Sequence, residues 1–121
     1  YSLHFAPWAD GKTKLKLESM WGLTYPAMAK AAQSDARISQ RVDQYIHGRL
    51  LALYDLQADP GQRINLIDDE AHRPVAERMK QLMLEEMQRT IDPQLENYRL
   101  VLQGKVPVLE QNPQRYRIAS D

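Results

Sequence analysis

Leu53-Tyr54-Asp55-Leu56-Gln57-Ala58-Asp59-Pro60-Gly61-Gln62-Arg63-Ile64-Asn65-Leu66 is the stretch on which the architecture depends. Its apolar start extends back to Leu50, and the run from Leu50 to Leu56 is short, apolar and bounded by turn residues, which predicts a buried strand. Asp59-Pro60-Gly61 predicts a turn: the aspartate can accept from onward amides, proline presets φ, and glycine is permissive. Beyond it, Asp68 or Asp69 opens the longest helix, in which Val75, Met79, Leu82, Met83 and Met87 recur at helical spacing with Glu77, Lys80, Glu85 and Arg89 outside. Pro74 sits awkwardly behind an Asp69 cap, which moves the expected start of that helix towards Arg73.

Upstream of the strand, Ser34 or Asp35 is expected to cap a helix whose Ile38, Val42, Tyr45 and Ile46 form one stripe and which Gly48 stops. Thr24-Tyr25-Pro26-Ala27 reads as another helix start, with Thr24 as cap and the helix running to about Gln33. At the N-terminal end, Tyr1, Leu3 and Phe5 alternate with Ser2 and His4, the period of a half-buried strand. Pro7 and Asp10-Gly11 break it, with Trp8 expected to anchor the loop. Lys12-Thr13-Lys14-Leu15-Lys16-Leu17 alternates again. Its first reading is an edge strand on which lysine discourages pairing with other chains, and its second is a rim that contacts an anion. Past Asp92-Pro93 the pattern degrades: Tyr98, Leu100 and Leu102 alternate, Val106-Pro107-Val108 is extended, and the polar end predicts an extended tail that either lies on another surface or is partly disordered.

The totals fit this small set of elements. The chain has 121 residues, enough for one compact domain, and 43% apolar with 26% charged residues is ordinary globular composition. Sixteen basic and sixteen acidic side chains balance, which argues against a nucleic-acid partner. No run approaches the roughly 18 apolar residues of a membrane span. The opening Tyr1-Ser2-Leu3 has neither a charged nor an apolar leader region, as expected of a piece of a longer protein. Cysteine is absent, which removes disulfides, thiolate metal sites and a thiol nucleophile from consideration.

Few residues offer chemistry. His4, His47 and His72 fall in a strand, at a helix end and in a first helical turn, without ligand spacing. Asp68, Asp69 and Glu70 form an acidic run that lacks EF-hand spacing and reads as a helix cap. The chain has no Gly-x-Ser-x-Gly, P-loop or GxGxxG motif, and no legible nucleophile–base pair. The methionine stripe reads as core packing rather than a promiscuous binding face.

The segment from Leu53 to Leu66 is similar to the LYDL-x-x-DP-x-E-x-x-NL segment near the end of sulfatases of the alkaline-phosphatase-like superfamily. Tyr1 to Pro7 resembles that family's Y-x-x-N/H-x-x-P strand, and Ser19 to Ala32 its following helix entry. From Arg41-Val42 onward the chain resembles the approach to the next strand, and Glu70 to Arg89 with Asp92-Pro93 resembles the end of the heparan N-sulfatase-like branch. The resemblance spans residues 1–93 and leaves 94–121 as the extended tail. Two departures, Ala52 where the family has Glu and Gln62 where it has an acid, fall at positions that look structural.

The resemblance implies an α+β subdomain, a small antiparallel sheet with one long helix against it, docked on a much larger N-terminal catalytic domain. It also implies a formylglycine nucleophile made from Cys or Ser within C/S-x-P-x-R, beside a calcium ion held by Asp and Asn. Both belong to the catalytic domain. Thr24-Tyr25-Pro26-Ala27-Met28 is the nearest look-alike here and lacks the arginine, so no catalytic residue or cofactor is assigned to this chain. What it could contribute is a substrate rim of Lys12, Lys14 and Lys16 with His4. The alternatives are the same subdomain of a phosphoester or phosphonate hydrolase, or a module that binds another protein.

Overall fold

The structure is a computed structural model that describes residues 1–14 and 18–107. In order, the elements are strand β1 (Ser2–Phe5), a single 3-10 turn (Glu18–Trp21), helices α1 (Thr24–Ala31) and α2 (Ala36–His47), strand β2 (Leu51–Tyr54), a second 3-10 turn (Glu70–His72), and helices α3 (Arg73–Thr90) and α4 (Leu95–Leu102). This is an α+β fold, with one antiparallel strand pair and the long helix α3 against β1.

Register explains how the sheet is covered. Ser2 faces Tyr54, Leu3 faces Leu53, His4 faces Ala52 and Phe5 faces Leu51. Directly opposed residues share a face, so Leu3, Phe5, Leu51 and Leu53 line one side and Ser2, His4, Ala52 and Tyr54 the other. On the first side Leu53 is fully buried, and the Phe5 ring meets Tyr98 of α4 at 5.0 Å. Tyr98 is also fully buried and donates its hydroxyl to the Lys80 carbonyl of α3 at 3.1 Å, which ties both helices to the sheet. Burial, and then the charge of Glu77, pushes the Tyr98 phenol up to about 12. On the second side Tyr54 is buried and accepts from Gln44 Nε2 of α2 at 2.7 Å, with the His4 ring edge-on at 5.4 Å.

Asp35 caps α2 by accepting from the Arg37 and Ile38 amides, and Gly48 ends it at φ 66°, a left-handed value suited to glycine. Asp69 caps the 3-10 turn, after which α3 starts at Arg73 with Pro74 in its first turn. The Asp69–Pro74 conflict in the sequence is therefore resolved by placing a short turn between cap and helix.

Several expectations are corrected. Residues 95–102 form α4, because Tyr98 finds a buried slot between Phe5 and α3; the apparent alternation of Tyr98, Leu100 and Leu102 is part of a helical face. The extended tail thus does not begin at residue 94, and its part beyond residue 107 lies outside the described residues. Lys12 and Lys14 lie in a loop rather than in a strand, and Leu15, Lys16 and Leu17 fall outside the described residues. Trp8 is 57% exposed, and the loop is anchored by Ala9, which is 1% exposed. Thr24 does not cap α1; Leu23 occupies that position without a side-chain hydrogen bond. Leu56 and Leu82, expected inside, are 42% and 40% exposed, because the strand ends at Tyr54 and α3 presents Ala76 and Met87 to the core.

Candidate functional site

The segment from Leu53 to Leu66 is built around its polar residues. Asp55 accepts from the Gln57 and Ala58 amides and turns the chain out of β2, which draws its carboxyl below the ordinary range, the Ala58 bond most strongly. Asp59 then accepts from the Arg63 and Ile64 amides and folds the Pro60-Gly61 turn back on itself. Asn65 closes the segment. Its Oδ1 accepts from Leu53 N at 2.9 Å and Ile67 N at 3.1 Å, while its Nδ2 donates to Leu51 O at 3.2 Å. Leu66 N adds a bond to Leu53 O at 2.8 Å. The edge of β2 turned away from β1 is therefore satisfied by one carboxamide and one backbone amide, as a neighbouring strand would satisfy it. Asp55, Asp59 and Asn65 are all engaged with backbone amides.

The rim residues lie at the other end of the sheet. Asp10 accepts from Lys12 N at 2.8 Å, Thr13 N at 2.6 Å and Thr13 Oγ1 at 2.7 Å. These bonds, led by the Thr13 amide, lower its carboxyl to about 2. Gly11, at φ 71°, makes the tight reversal possible. The loop leaves Lys12 and Lys14 exposed and borders an open groove of about 910 Å³, with Trp8, Thr13, Arg49, Leu50, Val106 and Pro107 among its lining. Arg49 is bound to the Asp43 carboxylate at 2.8 Å, the other oxygen of which meets His47 Nδ1 at 2.8 Å.

His4 is exposed on β1, its Nε2 2.9 Å from Ser2 Oγ. Among the described residues no hydrogen bond or ion pair joins it to Lys12 or Lys14. The loop thus presents the two lysines together, while His4 belongs to the Tyr54 face of the sheet.

Ser2 and His4, two residues apart on one face of β1, are at the distance of a nucleophile–base pair. No carboxylate among the described residues holds the second ring nitrogen of His4, so the pair lacks the group that would orient the imidazole. His47 and His72 each meet a carboxylate, Asp43 and Asp69, but these pairs close a helix end and a helix start.

The donor set does not suit calcium. Asp69 is engaged with Ala71 N and His72, Glu70 with Arg73, and no three His, Asp or Glu side chains gather among the described residues.

Sequence reasoning also missed Gln44 and a cavity between α1 and α2. That cavity is lined by Thr24, Tyr25, Met28, Arg41, Val42 and Tyr45. The signal for it was the i, i+4 spacing of Arg41 and Tyr45, which puts a cation on an otherwise apolar stripe. No family model, no curated protein and no solved structure matches the chain.

Proposed function

We propose that this chain is the C-terminal structural subdomain of a sulfatase, a sulfuric ester hydrolase, and that it shapes the active-site rim of its parent enzyme without supplying the chemistry. The reading rests on the resemblance of Leu53–Leu66 to the family segment, and one structural observation supports it. Asp55, Asp59 and Asn65, the polar residues that the resemblance singles out, are spent on turning the chain and closing the β2 edge. A motif used in this way serves architecture and needs no reactive group.

The partner is the N-terminal catalytic domain, which would hold the formylglycine and the calcium. Lys12 and Lys14 on their Asp10-ordered loop, with Lys16 following in sequence, are the residues proposed to face a sulfated substrate; His4 is a weaker member because it lies on a different surface. Clustered ammonium groups raise the local concentration and on-rate of a polyanion without requiring close geometry. The experiment is to read the coding sequence upstream of Tyr1 in the same frame. The proposal expects a C/S-x-P-x-R motif there, and a metal-binding threonine site in its place would assign the subdomain to a phosphoester or phosphonate hydrolase.

A further inference from the structure

Helices α1 and α2 border a half-open pocket of about 320 Å³ lined by Thr24, Tyr25, Met28, Arg41, Val42 and Tyr45. The volume is at the lower end of the range typical of small-ligand sites. Its walls follow from helical spacing: Tyr25 and Met28 are three apart on α1, and Arg41 and Tyr45 are four apart on α2. The two tyrosine rings stand 5.9 Å apart at an interplanar angle of 36° and form an angled aromatic wall.

Two polar side chains border this apolar surface, Arg41 half-buried and Thr24 exposed. Arg41 is half-buried and has no ion pair or hydrogen bond among the described residues; Arg63 and Arg78 also lack a carboxylate partner but are exposed, and Arg37, Arg49, Arg73, Arg89 and Arg99 are paired with carboxylates. The Thr24 hydroxyl stands at the start of α1 without a capping bond.

We infer that this cavity is a binding site for a ring-shaped ligand carrying one anionic substituent. The ring lies against Tyr25 and Tyr45 with Met28 and Val42 beside it, and its sulfate pairs with the Arg41 guanidinium. An arginine at a half-buried position without a carboxylate partner is the charge complement of such an anion, and its planar fork can hold two oxygens at once. The neighbouring rings favour a flat or chair-shaped apolar body over a bare ion. Arene and sugar would satisfy the same surface, so the class is a ring anion and its source is decided by experiment. The inference does not rest on the sulfatase reading, because the site lies within this chain and is measured by binding alone.

The test is NMR titration of the 121-residue chain, labelled with ¹⁵N, with phenyl sulfate, glucosamine 6-sulfate, phenol and inorganic sulfate in parallel. At least one ring sulfate is expected to shift the amides of Tyr25, Arg41 and Tyr45 saturably, and to bind more tightly than both phenol and inorganic sulfate. A response to phenyl sulfate alone identifies an aromatic ligand, and a response to glucosamine 6-sulfate alone identifies a sugar. Arg41→Gln should weaken binding roughly tenfold or more, the usual cost of a lost charge-assisted hydrogen bond, with Arg41→Lys falling in between. Arg41 is on the helix surface, and a retained helical circular-dichroism spectrum establishes that each variant is folded. The inference is overturned if neither ring sulfate shifts these amides, if phenol or inorganic sulfate binds as tightly, or if Arg41→Gln binds like the parent chain.

Discussion

Replacing Asn65 with alanine removes three hydrogen bonds at once and reopens the β2 edge. Leu53 N and Ile67 N lose their acceptor, and Leu51 O loses its donor. The three losses are unequal. Leu53 is fully buried, so its amide finds no water and bears the full cost of an unsatisfied group, about 1–3 kcal/mol. Leu51 and Ile67 are half-buried, where water can replace much of each bond and about 0.5 kcal/mol apiece is lost. The expected destabilisation is therefore about 2–4 kcal/mol, without any cavity term. Urea denaturation followed by circular dichroism gives the total, and amide hydrogen exchange locates it: Leu53 should be protected in the parent chain and lose protection in the variant more than Leu3 does. Asn65→Asp supplies a sharper test, since it keeps the acceptor and sets a carboxylate oxygen against the Leu51 carbonyl. It should keep the Leu53 amide protected while losing the bond to the Leu51 carbonyl, which separates the acceptor role of the side chain from its donor role. A loss below about 1 kcal/mol for Asn65→Ala with Leu53 still protected would show that the edge is held by something other than this side chain.

Tyr54→Ala should cost about 3–5 kcal/mol, as for other large buried aromatics, and an unchanged denaturation midpoint would mean that the ring is not part of the core. Asp10 gives a pH signature: its folded pKa is depressed to about 2, so its contribution to loop order is fully present above the ordinary value of 3.8 and is lost as pH falls through about 2. Carboxyl-carbon NMR of Asp10 with the Thr13 amide as reporter measures this, and a midpoint near 3.8 would contradict the three bonds assigned to it. In the sulfatase proposed as the parent, changing Lys12, Lys14 and Lys16 to glutamine should lower kcat/KM for a highly sulfated substrate, with the loss shrinking as salt rises. If that variant equals wild type at low salt, the lysines take no part in recognition.

Much of the fold was legible because its signals are local. The Gly48 stop, the Asp59 turn and the delayed start of α3 each depend on a few neighbouring residues, and the same local chemistry narrowed the α2 cap to Ser34 or Asp35, of which Asp35 is used. The reading failed where the decision is made across the chain. Tyr98 becomes helical because Phe5 and Lys80, remote in sequence, provide a ring partner and a carbonyl, and a window around residue 98 contains neither. Lys12 and Thr13 alternate like a strand, but Asp10 captures their amides and makes a loop. The α1–α2 cavity was legible only in part: the tyrosine and arginine spacings are in the sequence, whereas the approach of two helices is not. Asn65 belonged to a recognisable segment, yet its role needed the register of β2 to emerge.

The central claim is that this chain is the non-catalytic end of a sulfatase, and sulfate release tests it most directly. Sulfate should be measured from an aryl sulfate and from a sulfated glycan, using both the 121-residue chain and the full polypeptide containing it, with calcium present. The account predicts no release by the chain above a protein-free blank. It predicts turnover by the full polypeptide, abolished when the Cys or Ser of its C/S-x-P-x-R motif is replaced by alanine. Turnover by the purified chain alone, or a full polypeptide that releases phosphate from phosphoesters and no sulfate from either substrate, would contradict it.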